Sequence, residues 1–128
     1  MSDKSEIVVS IPAHSRFVAL TRVTAASLAA ELDFTIDEIE DMRVGADELT
    51  SLMIEWAEDH GLSTVEIRYR MTDDSLQMEA GAGSVDGAAR SADPPVLDEI
   101  TRQILEGVVD GFELGIGVGW ILKRRATS

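Results

Sequence analysis

The hydrophobic and polar positions of this chain divide it into eight elements of alternating period. Glu6 to Ile11 reads as a short strand closed by Pro12. Ser15 to Leu32 reads as a helix. Its apolar stripe is Phe17, Leu20, Val23, Leu28 and Leu32, alanines fill the rest, and His14 or Ser15 can cap its start. Thr35-Ile36-Asp37-Glu38 has the spacing of a capping box, with Phe34 and Ile39 as a hydrophobic staple. The long helix it opens turns Ile39, Met42, Ala46, Leu49, Met53 and Trp56 inward and ends near His60-Gly61. Val65, Ile67, Tyr69 and Met71 then alternate with Glu66, Arg68 and Arg70, the two-residue period of a half-buried strand. Thr72 to Ser75 is a turn, and Leu76, Met78 and Ala80 continue the phase in a return strand.

Past the break at Gly81-Ala82-Gly83, Ser84 to Ala92 reads as a mobile loop. Asp93-Pro94-Pro95 is placed to open a third helix, with Leu97, Ile100, Ile104 and Val108 on its buried face. Phe112 to Ile116 and Val118 to Leu122 close the chain as a hairpin, followed by a small basic tail from Lys123. The order strand, helix, helix, strand, strand, helix, strand, strand predicts a two-layer α/β sandwich. A mixed, mostly antiparallel sheet would carry three helices on one face, in a single domain spanning residues 1–128.

Composition narrows the chemistry. The 128 residues hold 11 basic and 24 acidic side chains, for a net charge of -13, and no cysteine. Disulfides, thiolate catalysis and cysteine-held zinc are excluded. No apolar run reaches the roughly 18 residues of a membrane span, and no secretory leader opens the chain, so the cytoplasm is the expected location. The carboxylate surplus repels nucleic acid. It either steers a basic protein partner toward the chain or simply keeps a small protein soluble.

Three features could carry chemistry: Glu48 in the middle of the long helix, the run Glu79-Ala80-Gly81-Ala82-Gly83 after a strand, and the loop leading into the third helix. Alone, each has an ordinary reading, as a solvated carboxylate, a turn and a connection. His14 and His60 lie in unrelated segments, so no metal site is expected, and no serine-histidine-aspartate arrangement is visible.

Taken together, these features resemble a family. Arg22 to Asp33 (RVTAASLAAELD), followed by Thr35 to Glu48, is similar to the bacterial anti-sigma factors of the sporulation and general-stress type. These are small serine-protein kinases on the histidine-kinase-like (GHKL, Bergerat) ATP-binding fold. The similarity is best over Phe17 to Gly61. The resemblance implies that Glu48 is the catalytic glutamate of a Glu-x-x-x-Asn box, orienting or deprotonating a water or serine hydroxyl. The family's asparagine, four residues on, would ligate magnesium, since positions one turn apart share a helix face. Here that position is Leu52, which has no oxygen for a hard cation.

The family's Asp-x-Gly-x-Gly motif holds adenine. Matching its glycines implies Glu79, Gly81 and Gly83 as cofactor-binding residues; matching the apolar phase of the strand puts Ala80 at the acidic position instead. A glycine-rich phosphate lid is expected before the last helix. That approach reads Ser91 to Glu99, with no glycine, two prolines and three acids. The reading is therefore of a retained fold in which ATP and magnesium binding is weakened or lost.

Two functions follow from the resemblance. The first is an anti-sigma factor that sequesters an alternative sigma factor and is released by a STAS-domain anti-anti-sigma partner. It would act as a homodimer, with Arg22 and, secondarily, Arg16 as partner-binding residues. The plain reading of Arg22 is an ordinary surface arginine, or one paired with a nearby carboxylate such as Glu31 or Asp33. The second function is an active ATP-dependent serine kinase of the anti-anti-sigma protein. An unrelated α/β domain that converged on the same element order stands as a third reading.

Overall fold

The computed structural model describes residues 5–83 and 93–126. In chain order it contains β1 (Ser5–Pro12), a 3-10 turn (Ser15–Phe17), α1 (Val18–Glu31), α2 (Ile36–Asp59), β2 (Thr64–Met71) and β3 (Ser75–Ala82). α3 (Glu99–Val108), β4 (Gly111–Gly115) and β5 (Val118–Arg124) complete it. The expected element order holds. The loop expected over Ser84 to Ala92 lies outside the described residues.

The five strands form one sheet in the order β1-β2-β3-β5-β4. Every pairing is antiparallel, a narrower result than the mixed sheet expected. The topology accounts for this. The chain leaves β3, passes through α3 and enters the sheet at its far edge as β4. It then turns back through Ile116-Gly117, with Gly117 at φ 69, so that β5 runs antiparallel to both its neighbours.

Alternate strand positions meet the helices. Val65, Ile67, Tyr69, Leu76, Met78, Ala80, Ala82 and Ile121 are all buried on that side. α2 crosses the centre of the layer. Met42, Ala46, Leu49, Met53 and Trp56 are buried as the pattern predicts, and Gly45, Thr50, Ile54 and Ala57 join them because α2 packs against α1 and α3 as well as the sheet. Gly45 permits the close approach of β5 and the end of α3: a Cβ there would lie 3.0 Å from side-chain atoms of both Ile121 and Val109. The capping box forms as expected. The Glu38 N–H donates to Thr35 Oγ1 at 3.1 Å, and the Thr35 N–H donates to Glu38 Oε1 at 2.8 Å.

Two helix faces differ from the pattern. In α1, Leu20 and Val23 are 50 % and 57 % exposed, while Thr21, Ala25 and Ala29 are buried. Small side chains let α1 lie close to α2, so the larger ones turn outward. His14 caps this region, its Nδ1 accepting from the Arg16 N–H at 3.1 Å. α3 starts later than expected, at Glu99 rather than beside the prolines. Asp98 is its cap, accepting from the Thr101 N–H at 2.7 Å. A residue before proline is pushed out of the helical region, so Asp93-Pro94-Pro95 continues as irregular chain. On α3, Leu105 is the fully buried residue and Ile100 is 72 % exposed, in place of an even four-residue face.

The basic end is not a free tail. Lys123 and Arg124 belong to β5. Lys123 Nζ reaches Asp41 at 3.1 Å and donates to the Val108 carbonyl at 3.0 Å; Arg125 Nη1 donates to the Leu32 carbonyl at 2.8 Å. These contacts tie the last strand to α2 and α3, and the residue after it to the C-cap of α1.

Candidate functional site

Glu48 and Leu52 stand one turn apart on α2 and are both half-buried. Burial, and then the Asp47 and Asp98 carboxylates, push the Glu48 carboxyl above its ordinary range. Asp98, the α3 cap, is itself held below its usual range by hydrogen bonds from Thr101. Glu48 therefore sits in the electrostatic neighbourhood of the start of α3, as a partly desolvated carboxylate suited in principle to accept a proton.

Leu52 lines a groove of about 300 Å³. One wall is α2, through Leu52, Glu55, Trp56, Asp59 and His60; the other is Asp93, Pro94, Pro95 and Val96. The walls are fastened where the Trp56 Nε1–H donates to the Asp93 carbonyl at 2.8 Å. The Trp56 ring stacks on His60 at 3.9 Å between centroids, and His60 Nδ1 lies 2.7 Å from the Trp56 carbonyl.

These residues do not fit a magnesium-bound triphosphate. Leu52 offers no oxygen where the family's metal ligand would stand. Pro94 and Pro95 offer no amide hydrogens to a phosphate. Glu55, Asp59 and Asp93 would repel it. Among the described residues, no group of three or more histidines and carboxylates is arranged to hold a metal ion.

On β3, Glu79 and Ala80 leave the strand in opposite directions. Ala80 is buried beneath the helices. Glu79 is half-buried on the other face, paired across the sheet with Arg68 and Trp120, and 3.8 Å from Arg70 Nη2. Glu48 and Glu79 thus do not share a pocket, and the helix-side position carries no hydrogen-bond acceptor. Gly81 sits on the outer face beside β5. Gly83, at φ 42, ends the strand, and its N–H donates to the Thr64 carbonyl at 2.8 Å. Its amide is thereby committed to the sheet.

Arg22 and Arg16 lie apart from the groove. Arg22 Nη1 meets Asp47 Oδ1 at 3.0 Å, linking α1 to α2; a carboxylate pairs with it, though neither Glu31 nor Asp33, the examples read from sequence. Its Nε is buried with no hydrogen-bond partner among the described residues. A shallow pocket of about 210 Å³ is bounded by Arg22, Glu40, Arg43, Val44 and Asp47. Arg16 is exposed, its guanidinium 5.5 Å from the centre of the Phe17 ring. Of the groove residues, Glu55 and Asp59 were not singled out by sequence, Trp56 was read only as an inward-facing core residue, and Asp93 as one of the acids in the lid approach. The available signal was Glu55 and Asp59 at helical spacing, flanking a tryptophan.

No family model matches the chain. It is similar to the serine-protein kinase RsbW of Bacillus cereus (strain B4264), 29 % identical over 80 residues, covering 62 % of this chain and 50 % of that protein. The serine-protein kinase RsbW of Halalkalibacterium halodurans is 29 % identical over 72 residues, 56 % of this chain and 44 % of its own. That of Bacillus mycoides (strain KBAB4) is 29 % identical over 79 residues, 61 % and 49 %. The chain spans about half the length of the curated relatives it matches. The resemblance read from Arg22 to Glu48 is consistent with these matches. No described helix is long and apolar enough to cross a membrane.

Proposed function

We propose that this chain is an anti-sigma factor that acts by binding. It sequesters an alternative sigma factor of RNA polymerase and yields it to a STAS-domain anti-anti-sigma partner, without phosphorylating that partner. The observation that carries this reading is Leu52 in its groove: an aliphatic side chain under two prolines and among three carboxylates, where a magnesium-bound phosphate would need oxygen ligands and amides. The similarity to serine-protein kinases supports the family. The lack of suitable ligands supports a binding role over a catalytic one.

In this reading Arg22 and Arg16 contact the partner from the α1 side, and the functional unit is a cytoplasmic homodimer of single-domain chains. A net charge of -13 favours a partner with basic surfaces and speeds their encounter at low salt. Glu79, Gly81 and Gly83 serve the sheet rather than a nucleotide.

Beside the names of those relatives, Glu48 is the observation in the structure that favours an active kinase instead. Its half-buried carboxylate with a raised pKa is the kind of group that activates a hydroxyl. Calorimetric titration with magnesium-ATP separates the two readings, alongside phosphate transfer from labelled ATP to the cognate STAS protein. The expected result is no measurable heat and no labelled product, with a sigma factor recovered when the chain is purified from its native cell. Tight nucleotide binding or a phosphorylated STAS protein would overturn the proposal.

A further inference from the structure

The groove over Leu52 is unsuited to an anion, and the same features suit a cation with an apolar stem. Its floor and one wall are apolar, formed by Leu52, Pro94, Pro95 and Val96. Val96 is 86 % exposed, an aliphatic side chain left without cover. The rim carries Glu55 and Asp59, one turn apart on α2, with Asp93 opposite. None of these three carboxylates has an ion-pair partner among the described residues, although Glu6, Glu40, Asp41, Glu66 and Asp47 all do. Trp56 lines the groove between Glu55 and Asp59. Its N–H is spent on the Asp93 carbonyl and its ring is buried against His60, so it holds the two walls in place, and the apolar surface a ligand meets is that of Leu52, the prolines and Val96.

We infer that this groove docks a basic peptide segment of a protein partner, with an arginine side chain laid between Leu52 and the Pro94-Pro95-Val96 wall and its guanidinium among Glu55, Asp59 and Asp93. The chemistry favours arginine. Its guanidinium can engage carboxylates in pairs, and its three-carbon stem matches an apolar floor. The volume of about 300 Å³ accommodates one such side chain with an apolar neighbour beside Val96. The inference deepens the binding reading by naming what the groove takes in place of a nucleotide.

The test uses the full chain and a fluorescein-labelled nonapeptide of alternating arginine and leucine, with a glutamate-for-arginine peptide as control. Binding is followed by anisotropy, and by Trp56 emission in a Trp120→Phe background. The arginine peptide is expected to bind and to shift Trp56 emission, and the glutamate peptide to do neither. The Glu55→Gln/Asp59→Asn double variant should weaken binding at least tenfold. Glu31→Gln/Glu106→Gln removes the same charge from exposed positions elsewhere and should change affinity less than twofold. Equal losses in the two double variants would mean general attraction to an acidic protein, and would overturn the inference. So would a dimer that dissociates in the Glu55/Asp59 variant, because the groove would then belong to a second copy. Magnesium-ATP calorimetry on the same preparation separates the failures. A silent peptide with silent ATP sinks only the groove, whereas tight ATP binding sinks the function proposed above.

Discussion

Arg22 on α1 and Asp47 on α2 form an ion pair at 3.0 Å that ties the two helices together. Both side chains remain about a third exposed or more, at 35 % and 41 %, so water screens the pair. Asp47→Ala is expected to cost less than about 1 kcal/mol in urea denaturation. Arg22→Ala should unfold at nearly the same denaturant concentration yet recover less sigma factor on co-purification. A large loss of stability with retained partner binding would make it a structural link only.

Tyr69 is the only tyrosine, and its hydroxyl donates to the Thr21 carbonyl at 2.8 Å within the core. Beside it, Thr21 Oγ1 donates to the Val18 carbonyl, which leaves the Thr50 hydroxyl to donate to Thr21 across 2.9 Å. Burial pushes the Tyr69 phenol well above its ordinary value of 10.0. Above that pH the unfolded chain loses a proton that the folded chain keeps, so stability falls as pH rises. Ultraviolet titration should show tyrosinate appearing only together with unfolding. Tyr69→Phe is expected to cost about 1 kcal/mol and to flatten the alkaline limb.

Glu38 is bonded twice over, since its second oxygen accepts from the Ala126 N–H at 2.7 Å. The Thr35 and Ala126 backbone amides hold its carboxyl below the ordinary 4.5. The stability this gives is complete above that value and is lost as pH falls through the folded-state pKa. Acid denaturation of Glu38→Gln should therefore be less steep than that of the parent. Thr35→Ala should cost about 1 kcal/mol by removing the other half of the box. Protease cleavage near Ala126 should also quicken in Glu38→Gln.

Glu48 has the opposite sign. Its carboxyl titrates above the ordinary 4.5 because burial and two neighbouring acids disfavour its charge. Folded chain then binds more protons than unfolded chain, and this group adds stability as pH drops toward 4.5. Thermal melts at neutral pH should show Glu48→Gln equal to the parent or more stable, with the gap closing in mild acid. A clear destabilisation at neutral pH would mean the charge is satisfied by a partner.

Much of the layout is legible in the sequence. The Thr35–Glu38 box, the inward residues of α2 and the alternation through Val65, Ile67 and Tyr69 are local signals. Each depends on residues within one turn or one strand, and each survives in the structure. Leu20, Val23 and Ile100 misled because hydrophobicity marks which side chains prefer burial, not which are covered. α1 meets α2 through Thr21, Ala25 and Ala29, and the closeness of that contact excludes the larger residues. The start of α3 was misplaced because prolines and Asp98 both signal a helix start, and the Asp98 cap prevailed.

The candidate site divides in the same way. That Leu52 cannot hold a cation follows from its side chain alone, at any position in any fold. The sequence likewise determined that Glu79 and Ala80 face opposite ways, because a strand alternates. Only the tertiary structure decided which of them lies under the helices, that Asp47 rather than Glu31 or Asp33 meets Arg22, and that Asp93 to Val96 closes over Leu52 and Trp56. Those outcomes join segments tens of residues apart. Such contacts form when packed layers bring distant surfaces together, and no local period records them.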